Sequence, residues 1–269
     1  MGNATHINTP ILVTGCQRSG TTLVSLILDS HPMVTSRDEM QFDTHHLSDY
    51  LTNSNFHPYI LLKLPTVAHE VNRIRKLRGI KVIWCIRDPR DTVLSMINLK
   101  RGTNRTEPWV THPLGGMREI QCCANIVGLN LSAYHLDLFN RYMAIVRNAP
   151  QLSTSDAVYS GALCWRLKNE LLELYDLLEI DCKILRFESL IKDPKRVIAD
   201  LLNFIGAPWD DKVLTHHLLH KGVSVGNTDN TKPIDSTVAG KWKKELSEDN
   251  IKIIKSICSE IAKNHRYEL

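Results

Sequence analysis

Ile11 to Thr14 is a short unbroken apolar run ending in a glycine-bounded loop, the pattern of a buried parallel strand. Thr21 to Asp29 follows with Leu23, Val24, Ile27 and Leu28 at helical spacing, and Ser30-His31-Pro32 stops it. Met33 to Ser36 (MVTS), Tyr59 to Leu64 (YILLKL) and Lys81 to Ile86 (KVIWCI) predict further strands. Asp88 as N-cap and Pro89 at the first helical position open a helix through Leu99. From about residue 101 to 160 no clean period holds, and Pro108, Pro113, Gly115-Gly116 and Pro150 interrupt the pieces. Val158 to Glu179 then predicts a long amphipathic helix, Cys182 to Phe187 (CKILRF) a strand, and Pro194 to Ile205 a helix closed by Gly206 and Pro208. Ser247 caps a last helix to Asn264. Strands alternating with helices predict an α/β fold with a mostly parallel sheet flanked by helices. No repeat, low-complexity tract or long linker breaks the chain, so one domain is expected over residues 1–269.

The first strand runs into GCQRSGTT, Gly15 to Thr22, which has the outline of a P-loop, G-x-x-x-x-G-K-[ST], with Thr21 in the lysine position. A glycine-bounded turn between strand and helix aims several backbone N–H groups at one spot, and the helix dipole makes that spot an anion site. Without the lysine there is no clamp for a γ-phosphate. The loop can still hold a 5′-phosphate and a group attached to it, with hydroxyls from Thr21 and Thr22 and the planar fork of Arg18. In CIRDPRDTVLSMINLK, Arg87 ends a strand and Ser95 lies about two turns into the next helix, a pair able to hold a second phosphate. Taken alone, that stretch reads more simply as an Arg87–Asp88 cap and a surface serine.

GCQRSGTTLVSLILDSHP together with IRDPRDTVLS resembles the sulfotransferases that use 3′-phosphoadenosine-5′-phosphosulfate (PAPS). Further stretches, SRDE, RFESLIKDPKRVIADLLNFIGAPWDD and GKWKKEL, are most similar to the tyrosylprotein sulfotransferase branch and its bacterial relatives. The resemblance implies a P-loop-type core and a donor that needs neither a γ-phosphate clamp nor a metal. It implies that Arg18, Ser19, Gly20, Thr21 and Thr22 grip the 5′-phosphosulfate, and that Arg87 and Ser95 grip the 3′-phosphate. By the same resemblance Lys63, before Leu64-Pro65, is the catalytic lysine, Glu39 of SRDE is the general base, and Arg18 assists the leaving group. His45 and His46 stand near as other bases. Ser224 and Lys232, in HKGVSVGNTDNTKPID, correspond to a loop that closes over the donor. The stretch 101–160 corresponds to a helical segment on the acceptor side. Phe187 departs from the branch, which has tyrosine there, and so removes a hydroxyl that could bond the donor. Trp242, in GKWKKEL, reads first as a core residue and second as a neighbour of adenine.

Composition narrows the partners. Apolar content of 43% and charged content of 23% fit a soluble globular chain, and the net charge of +4 suits an anionic small ligand rather than nucleic acid. No run approaches the ~18 apolar residues of a membrane span. The first ten residues lack the basic and apolar regions of a secretory signal. Seven cysteines without C-x-x-C pairs predict reduced thiols, and hence a cytoplasmic enzyme. The expected activity is transfer of the sulfuryl group of PAPS to the hydroxyl of a small molecule, glycan or peptide, leaving adenosine 3′,5′-bisphosphate. Two other readings compete. One is a P-loop kinase with Asp88 of WCIRD as a magnesium ligand, and the other is a nucleotide-binding protein without catalysis.

Overall fold

A computed structural model describes residues 8–39, 57–101, 107–111, 115–127, 154–220, 223–224 and 228–269. In chain order these form β1 (Thr9–Gly15), α1 (Thr21–Asp29), β2 (Val34–Asp38), β3 (Tyr59–Lys63), α2 (Val71–Ile74), β4 (Lys81–Ile86) and α3 (Pro89–Asn98). The pairs β5 (Lys100–Arg101) and β6 (Glu107–Pro108) precede α4 (Gly116–Val127) and α5 (Thr154–Leu177). Then come β7 (Cys182–Arg186), α6 (Phe187–Lys192), α7 (Pro194–Ile205) and α8 (His216–Leu219). The chain ends with β8 (Val223–Ser224), β9 (Thr228–Asp229), α9 (Trp242–Glu245) and α10 (Glu248–Asn264). These elements divide between two compact units, each assembled from separated stretches.

The first unit lies within Met1–Gly15, Gly20–Ile86 and Tyr175–Ser236. Its centre is a five-stranded sheet in the order β2-β3-β1-β4-β7, every neighbouring pair parallel. Strand side chains alternate between faces. Ile11 and Val13, Tyr59 and Leu61, Ile83 and Cys85 therefore share one face, packed in a common core with Val24, Ile27 and Leu28 of α1 and with α7. On the opposite face Trp84 meets Tyr175 edge-on, with ring centroids 5.1 Å apart. Parallel strands buried on both faces are near-continuous apolar runs, which is why YILLK and KVIWCI carry no alternation.

Two glycines set the ends of the first loop. Gly15 has φ 123°, and a Cβ there would lie 2.3 Å from the carbonyl oxygen of Cys85 on the adjacent strand. Gly20, the N-cap of α1, has φ 94°, and its Cβ would fall 2.4 Å from the ring of Phe187. Phe187 thus opens α6 instead of ending β7, because its ring turns under the glycine. The remaining differences from the sequence pattern are small. β1 starts two residues before the apolar run, and α5 starts at Thr154 instead of Val158. The caps at Asp88 and Ser247 form as expected, accepting from the N–H groups of Arg90 and Asn250.

The second unit lies within Cys16–Ser19, Arg87–Leu174 and Thr237–Leu269. Its α3, α5 and α10 pack closely. Gly161 of α5 sits where a Cβ would be 3.0 Å from Val93 of α3. Cys258 of α10 donates its thiol to the Ala162 carbonyl, and Arg166 donates to the Ile257 carbonyl at 3.1 Å. All seven cysteines of the chain are free thiols.

Candidate active site

At the carboxyl edge of the parallel sheet, β3 ends on Lys63. This residue shares the face of Tyr59 and Leu61 and is 3% exposed. The end of the strand is locked from β1, since Leu64 N–H donates to the Val13 carbonyl and the Thr14 hydroxyl to the Leu64 carbonyl. On the other side β2 brings Asp38 opposite Lys63 in register, so Glu39 is the first residue beyond the edge. β2 is itself held by α1: Asp29 accepts from the Ser36 N–H at 2.7 Å, and the Ser25 and Ser36 hydroxyls bond at 2.7 Å. The outcome is an ion pair, Lys63 Nζ to Glu39 Oε2 at 3.0 Å. The distance is that of a salt bridge but the alignment is not that of a hydrogen bond, and Oε2 has no hydrogen-bond partner among the described residues. A shielded carboxylate oxygen without a hydrogen-bond donor fits a group able to engage a third partner.

A second cluster forms in the other unit around residues 16–19. Arg18 adopts φ 69°, a left-handed conformation rare outside glycine. Its Nε donates to the Ser95 hydroxyl at 2.9 Å, so Ser95 is not an ordinary surface serine. Arg87 donates to the Val238 carbonyl at 2.7 Å and, more weakly, to the Arg18 carbonyl at 3.4 Å. Both carboxylate oxygens of Asp88 accept from Arg90. Burial, and then the neighbouring charge of Arg87, pulls Arg18 down to a pKa of about 10. Two guanidinium groups that penalise one another are relieved by an anion bound to both. The Ser19 hydroxyl, 1% exposed, has no hydrogen-bond partner among the described residues. A buried hydroxyl without a partner beside two crowded arginines fits a phosphate-bearing ligand.

Several supporting contacts carry no signal in the local sequence. Trp165 Nε1 donates to the Arg87 carbonyl at 2.9 Å. Asp91, 3% exposed, accepts from the N–H groups of Gly240 and Trp242, so with Arg87 it ties down the segment 238–242. Trp242 is half-buried and stacked on the Arg90 guanidinium at 3.9 Å, which corrects its reading as core.

The structure brings Arg18, Ser19, Arg87 and Ser95 together in one unit and Lys63 with Glu39 in the other. Thr21, buried, and Thr22, half-buried, begin α1 directly after Gly20. Ser224 is described in its backbone alone, as part of β8. Lys232 is 72% exposed and faces Asp229 at 3.6 Å. His45 and His46 lie outside the described residues, as does most of the stretch 101–160.

A parallel sheet and a glycine-bounded loop leading into a helix define a protein with a P-loop-like core. The sequence profile of the sulfotransferase domain matches residues 8–266, and the chain belongs to that family. It is 23% identical to protein-tyrosine sulfotransferase 1 of Danio rerio and 21% identical to protein-tyrosine sulfotransferase 2 of Gallus gallus, in each case over 86% of its length. The chain spans 65% and 62% of those relatives. In fold it is similar to the sulfotransferase domain of the curacin biosynthetic pathway, with a TM-score of 0.59 and 16% identity, covering 97% of this chain and 98% of that one. A mouse sulfotransferase complexed with PAP gives a TM-score of 0.52 at 14% identity, covering 95% and 85%. Among the described residues no helix is long and apolar enough to cross a membrane.

Proposed function

We propose that the protein transfers the sulfuryl group of PAPS to an acceptor hydroxyl. The observation that carries this reading is the loop cluster. Half-buried Arg18 and Arg87 stand together beside the buried, unsatisfied Ser19 hydroxyl, in a loop that has Thr21 where a nucleoside triphosphatase needs lysine. Arg18, Ser19, Gly20, Thr21 and Thr22 are assigned to the 5′-phosphosulfate, and Arg87 with Ser95 to the 3′-phosphate. Ser224 and Lys232 are assigned to a loop over the donor. The family membership and the PAP complex of the mouse relative support the choice of donor.

In the reaction the acceptor oxygen bonds to sulfur as the bond from sulfur to the 5′-phosphate oxygen breaks. Glu39 takes the acceptor proton, and Lys63 and Arg18 balance the negative charge gathering on the transferred group and the departing phosphate. The placement of Lys63 beside Glu39, 3.0 Å apart at the carboxyl edge of the sheet, supports these roles because it puts the cation and the carboxylate within reach of one substrate. Nothing in this chemistry calls for a metal, and Asp88, the magnesium ligand of the kinase reading, is occupied by Arg90. The acceptor is a hydroxyl of a small molecule, glycan or peptide. Seven free thiols support a reducing, cytoplasmic setting.

Arg87→Ala tests the assignment. The variant should bind adenosine 3′,5′-bisphosphate at least tenfold more weakly, about 1.4 kcal/mol, and 5′-AMP within about twofold of the parent. Equal loss for both ligands, measured by calorimetric titration, would remove Arg87 from the 3′-phosphate.

A further inference from the structure

Residues 16 and 17 of the loop rest on a buried charge network that the reaction does not use. Lys168 of α5 is fully buried and forms an ion pair with Glu119 of α4, also buried. Gln17 completes it: its Oε1 accepts from Lys168 Nζ at 2.6 Å, and its Nε2 donates to both carboxylate oxygens of Glu119. Burial works most strongly against the Lys168 ammonium, but the Glu119 carboxylate together with the neighbouring thiols of Cys123, Cys164 and Cys16 outweighs it and raises its pKa overall. One helical turn before Lys168, Cys164 packs its thiol against that of Cys16, the residue preceding Gln17. The loop is thus fastened at Gln17, next to Arg18 with its left-handed φ of 69° and half-buried guanidinium.

The geometry points to Gln17, held by the Lys168–Glu119 pair, as the positioning residue that fixes the Arg18 segment in its anion-binding conformation. A buried ion pair is a costly way to stabilise a fold, and apolar residues of equal volume often serve as well. In some proteins such a pair serves to specify one geometry. Here three hydrogen bonds tie the Gln17 carboxamide to the pair and so restrict where residue 17 can lie. An unfastened loop would relax the strained Arg18 backbone and bind the 5′-phosphate group only after paying to rebuild it.

The inference rests on the donor reading above, and the variant Gln17→Met separates the two. Methionine matches glutamine in length and leaves Lys168 and Glu119 paired with each other, so the fold is retained. Titration of this variant with adenosine 3′,5′-bisphosphate and 5′-AMP should show at least tenfold weaker binding of both. Binding of 3′-AMP should stay within about twofold, while the hydrogen bonds lost to the buried pair, about 1–3 kcal/mol, should lower the melting temperature by about 2–12 °C. Unchanged affinity for the bisphosphate overturns the inference, as does an equal loss for all three ligands. If the parent protein itself binds neither the bisphosphate nor 5′-AMP, the donor reading fails, and the inference with it.

Discussion

Glu39→Gln is expected to lower turnover by a factor of about 10²–10⁴, the usual contribution of a general base, while adenosine 3′,5′-bisphosphate binds as in the parent. Glutamine keeps the shape of the side chain and a carbonyl oxygen for Lys63, so the buried ammonium is not left bare. What is lost is the ability to accept a proton. The check is a steady-state rate with labelled PAPS alongside a calorimetric titration of the bisphosphate. Near-normal turnover with intact binding would remove Glu39 from the role of base and turn attention to His45 and His46. Loss of binding as well would make the pair a part of the donor site.

The largest effect on stability is expected at Lys168→Met. The substitution leaves the Glu119 carboxylate in the interior with only the Gln17 carboxamide to meet it. Removing one partner of a buried ion pair typically costs about 3–5 kcal/mol. For a chain of this size, at about 2–4 °C per kcal/mol, the melting temperature should fall by about 6–20 °C. Adding Glu119→Leu in the same chain should restore at least half of that loss, because no charge then remains uncompensated. Thermal unfolding of the single and double variants decides the matter. A single variant as stable as the parent would mean that water or relaxation reaches Glu119.

Much of the first unit was legible in the sequence because its signals are local. A buried parallel strand is an apolar run of about five residues, and Lys81–Ile86 and Tyr59–Lys63 form within those runs. Helix starts at Asp88 and Ser247 depend on a side chain and an N–H group two or three residues away. The end of β7 was misplaced by one residue because Phe187 answers to Gly20, far away in the chain, and not to its apolar neighbours.

The candidate site was legible in its residue types but not in its contacts. Arg18, Lys63 and Glu39 stand out through motifs, whereas the bond from Arg18 to Ser95 joins residues 77 apart. The bonds from Gln17 to Glu119 and Lys168 span 102 and 151 residues, and no run or cap records them. One sign was present. Cys164, Lys168, Leu171 and Tyr175 recur at helical spacing, all buried, so a lysine stands within an apolar stripe. Such a lysine needs a buried partner, and the sequence alone does not say which carboxylate supplies it.

The central claim is that the loop around Arg18 holds a 3′,5′-bisphosphate nucleotide without a metal. Calorimetric titration of the parent protein with adenosine 3′,5′-bisphosphate, 5′-AMP and ATP, with a chelator present, tests it most directly. Tight binding of the bisphosphate, with 5′-AMP at least tenfold weaker, is the predicted result, corresponding to about 1.4 kcal/mol for the 3′-phosphate. No binding of the bisphosphate, with ATP binding only once magnesium is restored, would contradict the account and favour a kinase.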